Sequence, residues 1–212
     1  MSEPWRRPVS ALAVTLVAAA LAMLAMLLAG CTDSTPEPTA EPSSPSTPLA
    51  SYDTREVAVA RAPYCDRVSE SAIEEALGEA ARKSSTYNNG DPVRVADGVT
   101  DIAHEYGCAW SAGSTRARTW LFAPPVTGDR ARDLLEQARA EQGCVPDEQA
   151  PAFGMPSVAL VCADGRDVAA SYRGLFGDAW LVCELTGRGD RAELAARADR
   201  WCVQVVEAAR AG

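Results

Sequence analysis

The stretch VALVCADGRDVAASY, residues 158–172, decides the fold. Its two ends, residues 158–162 and 167–172, are rich in residues that fit a strand, and they flank the turn sequence Ala-Asp-Gly-Arg. An Asp-Gly pair between two such runs is a strong short-range signal of a β-hairpin, and it suits a type I′ turn. We therefore predict two antiparallel strands joined by a tight turn.

The chain on both sides of this hairpin carries further strand signals. Upstream, two runs flank residues 112–115 and form a second predicted hairpin. Downstream, residues 174–178 turn the chain into another strand. Short connections between consecutive strands favour antiparallel pairing. The predicted strands are residues 93–96, 104–111, 116–122, 158–162, 167–172 and 179–185.

Apolar residues at helical spacing predict three amphipathic helices. In the first, Ser71 and Glu74 form a capping box, and Lys83 closes the run. The second helix starts near Asp129 and the third at Asp190. The order helix, strands, helix, strands, helix predicts an α+β fold, with one antiparallel sheet and the three helices packed mainly on one face.

Residues 27–31, Leu-Leu-Ala-Gly-Cys, resemble the lipobox of bacterial lipoprotein signals. Two arginines precede an uncharged run over residues 9–30, as in an export signal. Such signals are cut just before the cysteine, so we predict a signal peptide at residues 1–30 and lipidation of Cys31. An uncleaved anchor and ordinary secretion are the alternatives, because about 20 apolar residues suffice to span a bilayer.

The rest of the chain divides into two parts. Residues 31–51 are rich in Pro, Ser and Thr, and they hold too few apolar side chains to offset their ordering entropy. We predict that they form a disordered tether, and that residues 52–212 form a single extracytoplasmic α+β domain. The protein would then be held at the cell membrane by the lipid on Cys31, facing outside the cytoplasm.

The domain contains an even number of cysteines, which in an exported protein predicts three disulfides. Pairing of sequence neighbours would tie each helix to its adjacent strands and contribute about 3 kcal/mol or somewhat more per bond. A zinc site would need closely spaced cysteines such as Cys-x-x-Cys, and the sequence has no such pair. The favoured pairs are Cys65–Cys108, Cys144–Cys162 and Cys183–Cys202.

The charge balance narrows the choice of partners. The chain has 20 Lys and Arg against 29 Asp and Glu, a net charge of −9. This acidic character argues against nucleic acid as a partner and against electrostatic adhesion to anionic lipid. Lys83 is the only lysine among 20 Lys and Arg, and this preference for arginine suggests a GC-rich genome. Together with the lipobox, it points to an actinobacterium.

The residues that carry common catalytic chemistry are scarce. His104 is the only histidine, and the sequence contains no nucleophile elbow, His-Glu-x-x-His, phosphate loop or calcium loop. We therefore expect no metal, no cofactor and no enzymatic activity. Carboxylates leave one alternative, a carboxylate-dependent envelope hydrolase. Their densest cluster is Glu70, Glu74, Glu75 and Glu79, for which a solvated helix face is the expected role.

Residues 117–122 offer a candidate ligand face. Two sets of side chains alternate along this strand, and one set must be less buried if the sheet is covered on one side only. If Trp120 and Phe122 belong to the less buried set, they would form an apolar patch that binds a ligand.

Two short motifs complete the pattern, residues 62–65 (Ala-Pro-Tyr-Cys) before the first helix and residues 107–110 (Gly-Cys-Ala-Trp) in a strand. With the lipobox and tether, this layout resembles small actinobacterial cell-envelope lipoproteins of unknown function. It also looks like the disulfide-linked extracellular sensor domains of some actinobacterial receptor kinases. The resemblance implies a non-enzymatic ligand-binding or accessory module, whose partner would be an envelope protein, a glycan or a lipid.

Overall fold

The computed structural model describes residues 46–211, so the predicted signal peptide, Cys31 and most of the predicted tether lie outside the described residues. The described chain contains the α-helices α1 (Glu70–Leu77), α2 (Gly128–Arg139) and α3 (Arg191–Ala209). Its strands are β1 (Lys83–Tyr87), β2 (Pro92–Ala96), β3 (Val99–Ile102), β4 (Glu105–Ala112), β5 (Thr115–Phe122), β6 (Cys144–Pro146), β7 (Ser157–Asp164), β8 (Asp167–Phe176) and β9 (Ala179–Arg188).

Seven of these strands form one antiparallel sheet in the order β1-β4-β5-β9-β8-β7-β6, and β2 pairs with β3 in a separate two-stranded sheet. The prediction of an α+β fold with an antiparallel sheet and three helices is confirmed at this level. The sheet is wider than predicted, because β1 and β6 join its two edges. Neither strand carries the alternating apolar residues that would reveal it in the sequence.

The hairpin of β7 and β8 differs from the prediction in its turn. Asp164 lies opposite Asp167, which leaves Gly165 and Arg166 as the two turn residues. Gly165 has a φ of 60°, and no other residue type within residues 46–211 has a positive φ. A type I′ turn needs a positive φ at both turn positions, so that prediction is wrong. Glycine at the first position alone is the requirement of a type II′ turn.

β8 also continues further than predicted. The turn expected at residues 174–178 contains only residues 177 and 178. Gly174 remains in β8, opposite Ser157 of β7. A Cβ atom at Gly174 would overlap the carbonyl group of Phe153. This glycine therefore allows a close backbone approach within a strand and does not end it.

The two faces of β9 show where the helices pack. Leu181 and Cys183 belong to a buried cluster that includes residues of α1 and α3. Trp180 and Val182 belong to a second cluster, which includes residues of α2. Successive strand residues point to opposite faces, so α1 and α3 lie on one face of the sheet and α2 lies on the other. The expected packing mainly on one face thus describes α1 and α3 but not α2.

The first cluster is the larger core, and it includes part of the predicted tether. Trp110 of β4 meets Trp201 of α3 edge to face, with ring centroids 5.6 Å apart. Leu49 is buried in the same cluster, and its backbone N–H donates to Asp199 of α3 at 2.8 Å. The prediction that residues 46–51 belong to a disordered tether is therefore wrong, because Leu49 supplies an apolar side chain to the core.

The helix ends follow local capping chemistry. α1 begins after Ser69, whose hydroxyl accepts from the Ala72 N–H at 3.2 Å, and not at the predicted capping box. It ends at Leu77, earlier than predicted, because Gly78 adopts a left-handed φ of 81°. α3 begins as predicted, with the Asp190 carboxylate accepting from the N–H three residues later at 2.9 Å.

Three disulfides connect Cys65 to Cys108, Cys144 to Cys162 and Cys183 to Cys202, and these are the pairs favoured by the order of the elements. Cys144 and Cys162 face each other across β6 and β7. Cys183 and Cys202 join β9 to α3 inside the core, where both are fully buried. Disulfides persist in oxidising compartments, so they indicate an extracytoplasmic environment. Among the helices of residues 46–211, none has the length and apolar character needed to cross a membrane.

Candidate ligand-binding face

The sheet face on which α2 packs is only partly covered by that helix. On the same face, beyond α2, the strands β1, β4 and β5 carry partly exposed side chains. α2 packs mainly on β6, β7 and β8, while α1 and α3 lie on the opposite face. We call this area, which lies beyond the strands that α2 mainly covers, the open sheet face. Its side chains are Lys83, Ser85, Tyr87, Glu105, Ala109, Ser111, Arg116, Arg118, Trp120, Phe122, Glu184 and Thr186.

The alternation along β5 places its functional groups on this face. Ala117, Thr119 and Leu121 point into the first core and are at most 1% exposed. Arg118 and Trp120 point the other way and are half-buried. The sequence indicates this alternation, because a strand directs successive side chains to opposite faces.

An ion pair lies at the centre of the open sheet face. The Arg118 guanidinium donates to Oε1 of Glu184 in β9 through Nε at 3.0 Å and Nη2 at 2.6 Å. The Thr186 hydroxyl donates to the same oxygen at 3.3 Å. The guanidinium carbon also lies 5.6 Å from the ring centroid of Trp120, within the range of a cation–π interaction. These contacts hold one cationic, one anionic and one aromatic group in a fixed arrangement.

A second polar contact lies near the edge of the sheet. Tyr87 of β1 donates its hydroxyl hydrogen to Glu105 of β4 at 2.5 Å. Its ring lies over Gly107, where a Cβ atom would overlap it. Burial raises the pKa of the Tyr87 phenol, and the hydrogen bond to the Glu105 carboxylate raises it further, so the hydroxyl keeps its proton at neutral pH.

The structure places both residues of the predicted ligand patch on this face but does not leave them free. Trp120 and Phe122 are half-buried and pack against the second cluster, which includes residues of α2. The accessible surface is therefore a mixture of an aromatic edge and charged groups, and not a purely apolar patch. Whether this pair binds a ligand stays a prediction.

Two grooves flank β1 at the open edge of the sheet. One has a volume of about 320 Å³ and is lined by residues 83–85 of β1, residues 109–111 of β4 and Arg116 of β5. The other has a volume of about 430 Å³ and lies between α1 and β1, over Trp110. The sequence does not predict either groove, because β1 itself is not predicted.

The carboxylate cluster of α1 separates into different environments. Glu75 accepts from Arg200 at 2.5 Å, and Glu79 pairs with Arg82 at 2.8 Å. Glu70 and Glu74 line the larger groove. A solvated face is thus an incomplete description of the cluster, since Glu75 is bound to α3 and two members border a cavity.

Within residues 46–211, one group of possible metal ligands is already engaged in other bonds. Glu141 lies close to Cys144 and Cys162, but both sulfurs are bonded to each other and offer no thiolate ligand. Both carboxylate oxygens of Glu141 accept from Arg173. His104 is exposed and directly precedes β4.

Sequence reasoning missed Tyr87, Glu105 and Glu184. A signal was present for Glu184, which is the only charged residue between positions 179 and 187, in an otherwise apolar strand. A carboxylate in such a strand needs a partner, and Arg118 provides it. No comparable signal marks Tyr87, since its strand is polar throughout. Cys31, the predicted lipidation residue, lies outside the described residues.

The fold and this face define a disulfide-bonded α+β domain whose sheet is covered by α2 over only part of one face. No family model matches the sequence, and no curated protein matches it. One solved structure that matches is a GTP-binding regulator from Thermotoga maritima, with 7% sequence identity and a TM-score of 0.32. The match covers 62% of this chain and 84% of that chain. At this TM-score the likeness carries no argument about fold or function.

Proposed function

We propose that the protein is a lipid-anchored, extracytoplasmic lipoprotein that acts as a non-enzymatic binding or accessory module of the actinobacterial cell envelope. The lipobox at residues 27–31 supports the anchor on Cys31, and the three disulfides support the oxidising side of the membrane. The tether would give the domain reach above the membrane surface.

The observation that carries the binding role is the arrangement of Arg118, Glu184 and Trp120 on the open sheet face. An aromatic ring beside fixed hydrogen-bonding groups is the usual composition of a recognition surface, in which the ring supplies contact area and the polar groups supply orientation. A glycan, lipid, peptide or envelope protein presents the complementary groups. The partner therefore belongs to one of these classes.

Recovery of envelope components with variants of the full chain tests this proposal. We expect Trp120→Ala to lose the components that co-purify with the unaltered protein from its own membrane, because the ring provides the central contact. Met155→Ala is the matched control, since this apolar side chain is 65% exposed and lies off the open sheet face. Arg118→Gln is a second variant that keeps the Trp120 ring. Unchanged recovery with both Trp120→Ala and Arg118→Gln would rule out the open sheet face.

The alternative is a carboxylate-dependent envelope hydrolase, and the favourable observation is that Glu70 and Glu74 line the same groove. They are one turn apart on α1, so both approach from one side of any bound substrate. Glycosidase carboxylates flank the scissile bond instead, which makes hydrolysis the weaker proposal. Hydrolysis of an envelope glycan that Glu70→Gln or Glu74→Gln abolishes would reverse this order.

A further inference from the structure

Lys83 and Arg116 lie in one row of side chains across three strands. Lys83 of β1 is opposite Ser111 of β4, and Ser111 is opposite Arg116 of β5. Directly opposed residues of antiparallel strands point to the same face. Neighbouring strands are about 4.8 Å apart, so the two cationic residues are about 10 Å apart at their Cα atoms, with Ser111 between them.

The smaller groove beside β1 lies between these side chains. Among residues 46–211, Lys83 and Arg116 are its only charged lining residues, and Ser85 and Ser111, which lie on the same sheet face as these two, line it as well. No carboxylate of residues 46–211 lines this groove, although the whole chain has a net charge of −9. Within residues 46–211, neither cation takes part in an ion pair.

The carboxylate in the next row of side chains on this face is already paired. Glu184 is already bound by Arg118 through two hydrogen bonds. The long, flexible side chains of Lys83 and Arg116 can therefore both reach one anion that lies over the serine hydroxyls. Glu70 and Glu74 line the larger groove, which shares Lys83 with this one, but they belong to α1 on the opposite face of the sheet. At physiological salt the Debye length is about 8 Å, so charges beyond that distance act only weakly on an anion in the groove.

We propose that this groove binds a phosphate group. A tetrahedral phosphate offers three or four acceptor oxygens, which matches the N–H donors of Lys and Arg together with two serine hydroxyls better than the two oxygens of a carboxylate do. The inference rests on the proposed envelope function, because phospholipid headgroups and other phosphate esters are both found at the membrane surface. It assigns one corner of the open sheet face to the phosphate of the ligand.

The sole lysine gives a direct test on the full chain in detergent. Acetylation of Lys83 by an amine-reactive ester is followed by peptide mass spectrometry, in inorganic phosphate and in chloride of equal ionic strength. We expect phosphate to slow the labelling of Lys83. Arg116→Gln should weaken this protection at least about tenfold, because it removes a charge-assisted hydrogen bond to the anion. Arg94→Gln, an exposed arginine of β2, should leave the protection unchanged.

Vesicles, added after the detergent has been removed, distinguish the sources of the phosphate. Protection by phosphatidylglycerol vesicles, but not by inorganic phosphate, would support a lipid headgroup as the ligand, and protection by both would support any accessible phosphate. Equal labelling in phosphate, chloride and vesicles would overturn the inference, as would equal loss of protection in Arg116→Gln and Arg94→Gln. Co-purification that depends on Trp120 would survive either result, so failure of the phosphate site is distinguishable from failure of the proposed function.

Discussion

At the scale of single residues, the Arg118–Glu184 pair shows how a charged group is accommodated in an apolar strand. The Glu184 side chain is only 12% exposed, whereas Arg118 is 39% exposed. The carboxylate therefore depends on its partner more than the guanidinium does, because an unpaired buried acceptor loses its solvation without compensation. The pair also sets the position of the guanidinium above Trp120.

We expect Glu184→Gln to lower the free energy of unfolding by about 1 kcal/mol, because it removes the charge from a hydrogen bond that is shielded from water. The matched control is Asp167→Asn, which breaks the Arg188–Asp167 pair, where both side chains are more than half exposed. That change should cost less than about 0.5 kcal/mol. Urea denaturation of both variants measures the difference, and equal losses would show that burial of Glu184 is unimportant.

Glu75 predicts a dependence of stability on pH. Burial alone would raise the pKa of Glu75, but hydrogen bonds from Ser46 and Arg200 outweigh it and hold the pKa below its ordinary value. The stabilisation is therefore present above about pH 4.3, the pKa of an unfolded glutamate, and it is lost as the pH falls through the folded pKa. Glu75→Gln should be less stable than the unaltered protein at pH 7, and the gap should close in acid. A gap that is constant across this range in thermal melts would contradict the assignment.

At the scale of elements, β1 marks the limit of prediction from sequence. The β4–β5 and β7–β8 hairpins were predictable because alternating apolar residues and glycine turns act locally. β1 was not, because its sequence Lys-Ser-Ser-Thr-Tyr is polar on both faces and its pairing with β4 spans a separate hairpin. The ion pair between Arg118 and Glu184 joins residues 66 positions apart, so only the strand order brings them together.

Gly107 predicts how β1 is held. A Cβ atom there would overlap the Tyr87 ring, so Gly107→Ala should displace the ring and break its hydrogen bond to Glu105. We expect faster backbone hydrogen exchange in β1 and little change in β8. Adding Tyr87→Ala to Gly107→Ala should relieve the overlap. Tyr87→Ala should therefore lower the free energy of unfolding less in the Gly107→Ala variant than in the unaltered protein. Additive losses from the two substitutions would contradict this contact.

At the scale of the whole molecule, two disulfides of nearly equal span offer a matched comparison. Cys144–Cys162 and Cys183–Cys202 close sequence separations of 18 and 19 residues, so their loop-closure entropies are nearly the same, about 3 kcal/mol each. Cys183 and Cys202 are fully buried, however, whereas Cys144 and Cys162 lie at the sheet edge. Replacing the buried pair by alanines should cost more, because it also leaves a cavity in the core. Equal shifts in denaturant midpoint would contradict this.

Native mass spectrometry of the full chain, released from its own membrane in mild detergent, tests the binding role most directly. We predict a mass increase that maps to a lipidated Cys31, and a non-covalently bound species that is present in the unaltered protein and in Met155→Ala but absent from Trp120→Ala. A folded protein that carries no bound species, or one whose bound species is retained in Trp120→Ala, would contradict the proposal that the open sheet face binds a ligand of the cell envelope.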